Sequence, residues 1–177
     1  MNYTSLVSQI QNFMEDDSTE LSNSINDIIA QAEEMIFQRL PSLPCFRQVA
    51  TANFVVGTFD YTVANARMIR QVSLTDSSSN ISFLDHRVDS YLRDYHPNTS
   101  TTSTPEMYST KNATTSGVVF TVAPTPSATL AFQVDFIAPV SGLSSSNTTT
   151  WIGDNADNVL LSAALYETSA FLKSTET

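Results

Sequence analysis

Three short stretches of this chain hold residue types that can do chemistry. Asp85, His86 and Arg87 stand in a row, and a carboxylate beside an imidazole is the base half of a nucleophilic triad. A triad also needs a serine or cysteine held within reach of that base. Serines are plentiful, but no G-x-S-x-G turn presents one. His86 therefore reads as an ordinary surface histidine at the start of a short helix, with Asp85 as its cap. His96 precedes Pro97 at the far end of that helix, where a polar or cationic group complements the helix dipole. The run Asp154-Asn155-Ala156-Asp157-Asn158 is rich in oxygen ligands but lacks the register and distal glutamate of a calcium loop. It reads as a cap plus an acidic first turn. Cys45 is the one cysteine, so it has no disulfide partner within the chain, and with two histidines it makes a poor zinc set. It reads as a small core residue. These residues predict no catalytic site, no cofactor and no metal.

Composition narrows the function class further. Of 177 residues, 41% are hydrophobic, enough for a core and too many for wholesale disorder. There are 18 acidic and 8 basic residues, for a formal charge of −10. The basic residues are scattered, whereas nucleic-acid binding needs them clustered to displace counterions. An acidic surface can still face DNA without holding it. No apolar run is long enough to span a membrane. The opening MNYTSLVSQIQNF lacks the basic and apolar regions of a signal peptide, so the chain is expected to stay in the compartment where it is made.

The elements that would position these residues follow from hydrophobic spacing. Thr4 or Ser5 can cap a first helix in which Leu6, Ile10, Phe13 and Met14 share a face. Asp16, Asp17 and Ser18 interrupt it. A second helix then carries Leu21, Ile25, Ile28, Ile29, Ala32, Met35, Ile36 and Leu40 on one stripe, and Pro41 stops it. Beyond LPSLPCFRQV the period changes to two. Strands are predicted at Phe46–Val56, Tyr61–Val63, Met68–Thr75 and Ile81–Leu84, with TDSSSN as a hairpin loop. Val88, Tyr91, Leu92 and Tyr95 share a face of the short helix. Further strands are predicted in EMYST, GVVFTVAP and TLAFQVDFIAPV, with NTSTTSTP, APTPSA and SGLSSSNTTT as loops and turns. A final helix is predicted to begin near Asp154 or Asn155, with Trp151 as a hydrophobic pin before it.

The order of elements predicts an α+β fold. The terminal helices, residues 1–44 and 151–177, form a small helical bundle, and residues 45–150 an inserted antiparallel sheet or sandwich. The whole is one domain. The last helix is apolar nearly all round, with Val159, Leu160, Leu161, Ala163, Ala164, Leu165, Tyr166, Ala170, Phe171 and Leu172. Such a helix must be covered on more than one side. Another subunit or the strand block could supply the second cover.

The two ends of the chain resemble a known family. YTSLVSQIQNFMEDDSTELSNSINDIIAQAEEMIFQRL opens with a Y-x-x-L start, passes an acidic break, and ends on Ala32, Glu33, Ile36, Arg39 and Leu40. LPCFR, TPEMY and VAPTPSATLAFQVDFIAP follow in order, and SSSNTTTWIGDNADNVLLSAALYETSAFLK leads through Trp151 into the last helix. Together these are similar to the head-to-tail adaptor proteins of tailed bacteriophages. The long Ser/Thr loops have no counterpart in that pattern. The resemblance implies a structural virion protein at the head–tail junction, assembled in the host cytoplasm. It implies a homo-oligomeric ring, commonly a dodecamer of about twelve subunits, with a portal protein above and a tail, nozzle or tail-fibre protein below. DNA passes through the channel without specific binding. Candidate subunit or portal contacts are Ile25, Ile29, Met35, Ile36, Trp151, Leu160, Leu161, Leu165 and Phe171. The alternatives are another neck or tail-completion ring, such as a stopper or terminator, and a β-rich carbohydrate-binding or adhesin module.

Overall fold

A computed structural model describes the backbone of residues 1–175 and the side chains through Lys173. Residues 176 and 177, included in the expected helical part, lie outside the described residues. The architecture is α+β, with helices at the two ends and strands between. The chain divides into two compact units, one of Met1–Phe46 with Val140–Thr177 and one of Arg47–Pro139.

The helical unit is built on helices α1 (Tyr3–Met14), α2 (Thr19–Arg39), α4 (Trp151–Asn155) and α5 (Asp157–Thr175). Asn2, rather than Thr4 or Ser5, caps α1: its side chain accepts from the Ser5 amide at 2.9 Å. An asparagine outside the first turn can reach back to a free N–H, whereas Thr4 and Ser5 are already helical. Glu15 ends the helix in the left-handed region. Of the three residues that interrupt the helical run, Ser18 caps α2, accepting from the Leu21 amide at 3.2 Å. The α2 stripe buries Leu21, Ile25, Ile28, Ile29, Ala32, Ile36 and Phe37. Leu40 leaves the stripe and is exposed, because it lies past the last helical residue and no longer follows the helix phase. Helix α5 packs along both α2 and α1. Its buried residues, Leu160, Ala164 and Thr168, recur every four positions. The buried Thr168 hydroxyl is satisfied by donating to the Ala164 carbonyl at 2.7 Å.

The boundaries of this unit differ from those that composition suggests. Pro44–Phe46 form a 3-10 turn, and the Phe46 ring meets Phe37 edge-on at 4.8 Å. The loop from 140 to 150, polar enough to pass for part of the strand block, belongs with the helices. Leu143 is buried, and its amide donates to the Glu33 carboxylate of α2 at 2.9 Å. The Tyr3 amide donates to the Thr148 carbonyl at 3.0 Å. A half-buried carboxylate and a backbone bridge hold a sequence that hydropathy alone would leave free.

The strand unit is a sandwich. One sheet has the order β1 (Arg47–Asn53), β10 (Ala131–Ile137), β3 (Met68–Thr75), β4 (Ile81–Phe83), all antiparallel. The other has β2 (Asp60–Ala64), β8 (Gly117–Ala123), β7 (Met107–Thr114) and the two-residue β5 (Asp85–His86), which joins in parallel. Inward side chains of both sheets share one core, including Phe54, Val72, Phe120, Val122, Phe132 and Val134. The alternation of β10 behaves as its sequence predicts, with Phe132, Val134 and Phe136 inside. Gly117 begins β8 at φ 155°, and a Cβ there would collide with the Val63 carbonyl of β2. The segments NTSTTSTP and APTPSA are more than loops: β6 (Thr102–Ser103) and β9 (Thr125–Pro126) pair in parallel. Helix α3 (Asp89–Tyr95) covers one edge through Leu92, which packs with Met107 and Ala123.

Candidate functional site

The residues with chemical potential are dispersed among structural roles. Asp85 and His86 are not at a helix start; they form β5 and pair with Met107 and Tyr108. Val88 takes the capping position of α3 with no side-chain bond, so the expected Asp85 cap is not made. A two-residue bridge to β7 uses the backbone that a capping Asp85 would have needed elsewhere. The Asp85 carboxylate meets the Arg87 guanidinium at 3.2 Å, and the His86 ring lies 5.0 Å from the Tyr108 ring. Arg87 in turn stands over the Tyr91 ring. Cys45 is half-buried, and burial pushes its thiol up from the ordinary value. Asp60 is balanced by opposing effects. Burial raises its carboxyl, but the Thr121 hydroxyl, the Lys111 ammonium at 2.9 Å and the charge of Arg93 prevail and hold it below the usual range.

The aspartates before the last helix keep the expected place in an acidic first turn, Asp154 in that of α4 and Asp157 in that of α5, but the expected cap of α4 is neither of them. Thr150 is the cap, accepting from the Gly153 amide at 3.2 Å. Helix α4 therefore starts at Trp151, and Asp154 lies inside it. Ala156 breaks the helix, and Asp157 begins α5 with its carboxylate on the Asn158 amide at 2.8 Å. Trp151 is not the pin of this junction. It is 40% exposed, while its neighbour Ile152 is 1% exposed and Gly153 is buried against the Met1 carbonyl. The Thr150 cap sets the helical phase one residue away from the one that would bury the indole.

The nine candidate contact residues divide by burial. Ile25, Ile29, Ile36 and Leu160 lie in the core of the helical unit at 4% exposure or less and present almost nothing to a partner. Hydrophobic spacing identifies the stripe of a helix that is buried but not what buries it, and here the same chain does. Met35, Leu161, Leu165 and Phe171 are half-buried and Trp151 is exposed.

A surface that spacing did not single out lies between α2 and α5. A recess of about 540 Å³ is lined by Met35, Ile36, Arg39, Leu40, Val159 and Tyr166, among others. A second of about 250 Å³ lies farther along the same helix pair, at Ser24, Ile28, Gln31, Ala170 and Phe171. On α2, Ser24, Ile28, Gln31, Met35 and Arg39 follow steps of three and four and so share one face; on α5, Val159, Ala163, Tyr166 and Ala170 do the same. The two recesses thus belong to one groove. At 100° per residue, its α5 stripe is turned roughly 130° from the buried stripe of Leu160, Ala164 and Thr168. Val159 and Tyr166 are 44% and 64% exposed. Their seven-residue separation was the available signal, hidden because the whole helix is apolar.

Charge is divided unequally between the units. The helical unit's sequence has eleven acidic residues against two basic ones, Arg39 and Lys173. The strand unit has seven acidic residues against six basic ones. Nearly the whole negative charge of the protein therefore belongs to the helices. No helix of the described residues is long and apolar enough to cross a membrane.

No curated protein matches the chain. A family model described as SU10 adaptor protein matches residues 1–176. Because that match runs over almost the full length, this chain belongs to the SU10 adaptor protein family, a family of phage head-to-tail adaptors.

Proposed function

We propose that the chain is one subunit of a closed ring that sits beneath a portal and continues the DNA channel toward the tail. The helical and strand units serve as one adaptor domain, the helices facing the channel and neighbouring subunits and the sandwich meeting tail components. The observation that carries this reading is the division of charge. A channel wall must let DNA slide, and a wall of negative charge repels the phosphate backbone. The helical unit supplies that charge, while the nearly neutral strand unit is free to bind other proteins. Met35, Trp151, Leu161, Leu165 and Phe171 keep the exposed surface that subunit or portal contacts need. A dodecamer is the size that the family resemblance implies.

Incubation with purified portal protein, followed by negative-stain imaging and native mass spectrometry, tests the reading. The expected result is a ring seated on the portal that retains no duplex DNA at low salt. Failure to bind the portal alongside capture by a tail-tube protein would instead identify a tail-completion ring. A chain that remains monomeric with both would overturn the ring.

A further inference from the structure

We infer that the α2–α5 groove receives the end of α1 from the next copy of this chain, with Phe13 as the inserted side chain and Arg39 as its charge partner. This rests on the ring reading above and adds the contact that would close it.

Three observations meet here. First, the groove is apolar and open, with Val159 and Tyr166 on its wall and Ile36 at its buried floor. Second, Phe13 is 67% exposed although it belongs to an amphipathic helix whose Leu6 and Ile10 are fully buried. It projects at the last turn of α1, just before Glu15, Asp16 and Asp17. An aromatic on a short apolar turn next to three carboxylates is a knob with an acidic collar. Third, Arg39 lines the groove, in a unit whose sequence has one other basic residue. Copies of so acidic a unit repel one another at most orientations. An orientation that places the acidic collar at Arg39 replaces repulsion by attraction and selects one register.

The geometry favours a neighbour over the same copy. Helix α1 packs against α5, whose buried stripe faces away from the groove. The knob and the groove are different surfaces of one subunit, so each contact uses the knob of one copy and the groove of another. Such heterologous contacts propagate, and they close into a ring when the rotation per subunit divides a full turn. Phe13 is a contact residue that helical spacing placed on one face with Leu6 and Ile10.

The test uses the full chain in the assembly reaction with portal protein. Phe13→Ser and Arg39→Glu are expected to keep the wild-type melting temperature and helical circular dichroism, since both positions are exposed, but to lose the ring. Adding Asp16→Lys and Asp17→Arg to Arg39→Glu is expected to restore rings, because every contact then has the reversed pair. A second measurement uses a Cys45→Ser background and mixes Phe13→Cys chains with Tyr166→Cys chains. The expected product is a disulfide-linked dimer of one chain of each kind, in excess over either self-pair. Wild-type rings that Phe13→Ser and Arg39→Glu leave intact would overturn the groove contact and leave the ring standing. A wild-type chain that forms no ring alone or with portal protein would overturn both.

Discussion

Adjacent residues of α5 give the sharpest measure of its two faces. Leu160 is fully buried and Val159 is 44% exposed in the groove. Leu160→Ala removes three carbons from the core. At about 0.8 kcal/mol per buried CH₂ the transfer loss is about 2.4 kcal/mol. A residual cavity adds to it, for a total of about 3 kcal/mol. At about 2–4 °C per kcal/mol for a chain of this length, the melting temperature should drop by about 6–12 °C. Val159→Ala removes two carbons that already meet water, and alanine is the better helix former by roughly half a kcal/mol. Its effect on stability should be within about 0.5 kcal/mol of zero. Circular dichroism at 222 nm during thermal unfolding reports the helical unit selectively, because the other unit is mostly strand. If the two variants melt at the same temperature, the assigned buried and open faces of α5 are wrong. If Val159→Ala is the more destabilising, α5 is rotated and the groove is the core.

Further outcomes follow from the same packing. Ile152→Ala should cost about 3 kcal/mol, as a buried aliphatic does, whereas Trp151→Ala should cost about 1 kcal/mol; urea melts that rank the two the other way would restore the indole as the junction's anchor. Gly117→Ala should destabilise the sandwich by more than about 2 kcal/mol through the clash with the Val63 carbonyl, read as a loss of the β-signal transition. Glu33 supplies a pH dependence. Burial raises its carboxyl above the ordinary value, more strongly than the Leu143 amide lowers it. A carboxyl whose folded value lies above its unfolded value favours the fold in its protonated form. That contribution is fully present below the ordinary carboxylate range and is lost as pH rises through the raised value. Wild type should therefore lose stability over that window, and Glu33→Gln, which keeps an acceptor for Leu143, should flatten the curve. Parallel slopes for the two chains across a urea-melt pH series would refute the role.

Some elements were legible because their determinants are local. The α2 stripe needed only the spacing of its isoleucines, and its start needed only Ser18 within reach of the Leu21 amide. The alternation of β10 was equally plain. The cap of α1 was misplaced because Asn2, Thr4 and Ser5 are all competent cap residues, and the choice depends on where the chain enters from. That entry is set by the Tyr3 bond to Thr148, a contact between opposite ends of the sequence. The α4 start moved for a similar reason, since Thr150 and Asp154 compete and the burial of Ile152 and Gly153 favours Thr150.

The sequence by itself determined the class and period of the longer helices and strands and the sign of the surface, because each follows from bonds and spacings within a few turns of chain, whereas the two-residue strands β5, β6 and β9 exist only through their distant partners. It also determined the family, through the order of short motifs along nearly the whole length. Only the tertiary structure decided which apolar residues are satisfied within the subunit. Ile25, Ile29, Ile36 and Leu160 share their aliphatic character with Val159, and Phe13 shares the pattern of Leu6 and Ile10. Periodicity reports that a side chain is apolar and which way it points along its own helix. Whether another helix stands in that direction depends on contacts between residues more than a hundred positions apart, as between α2 and α5.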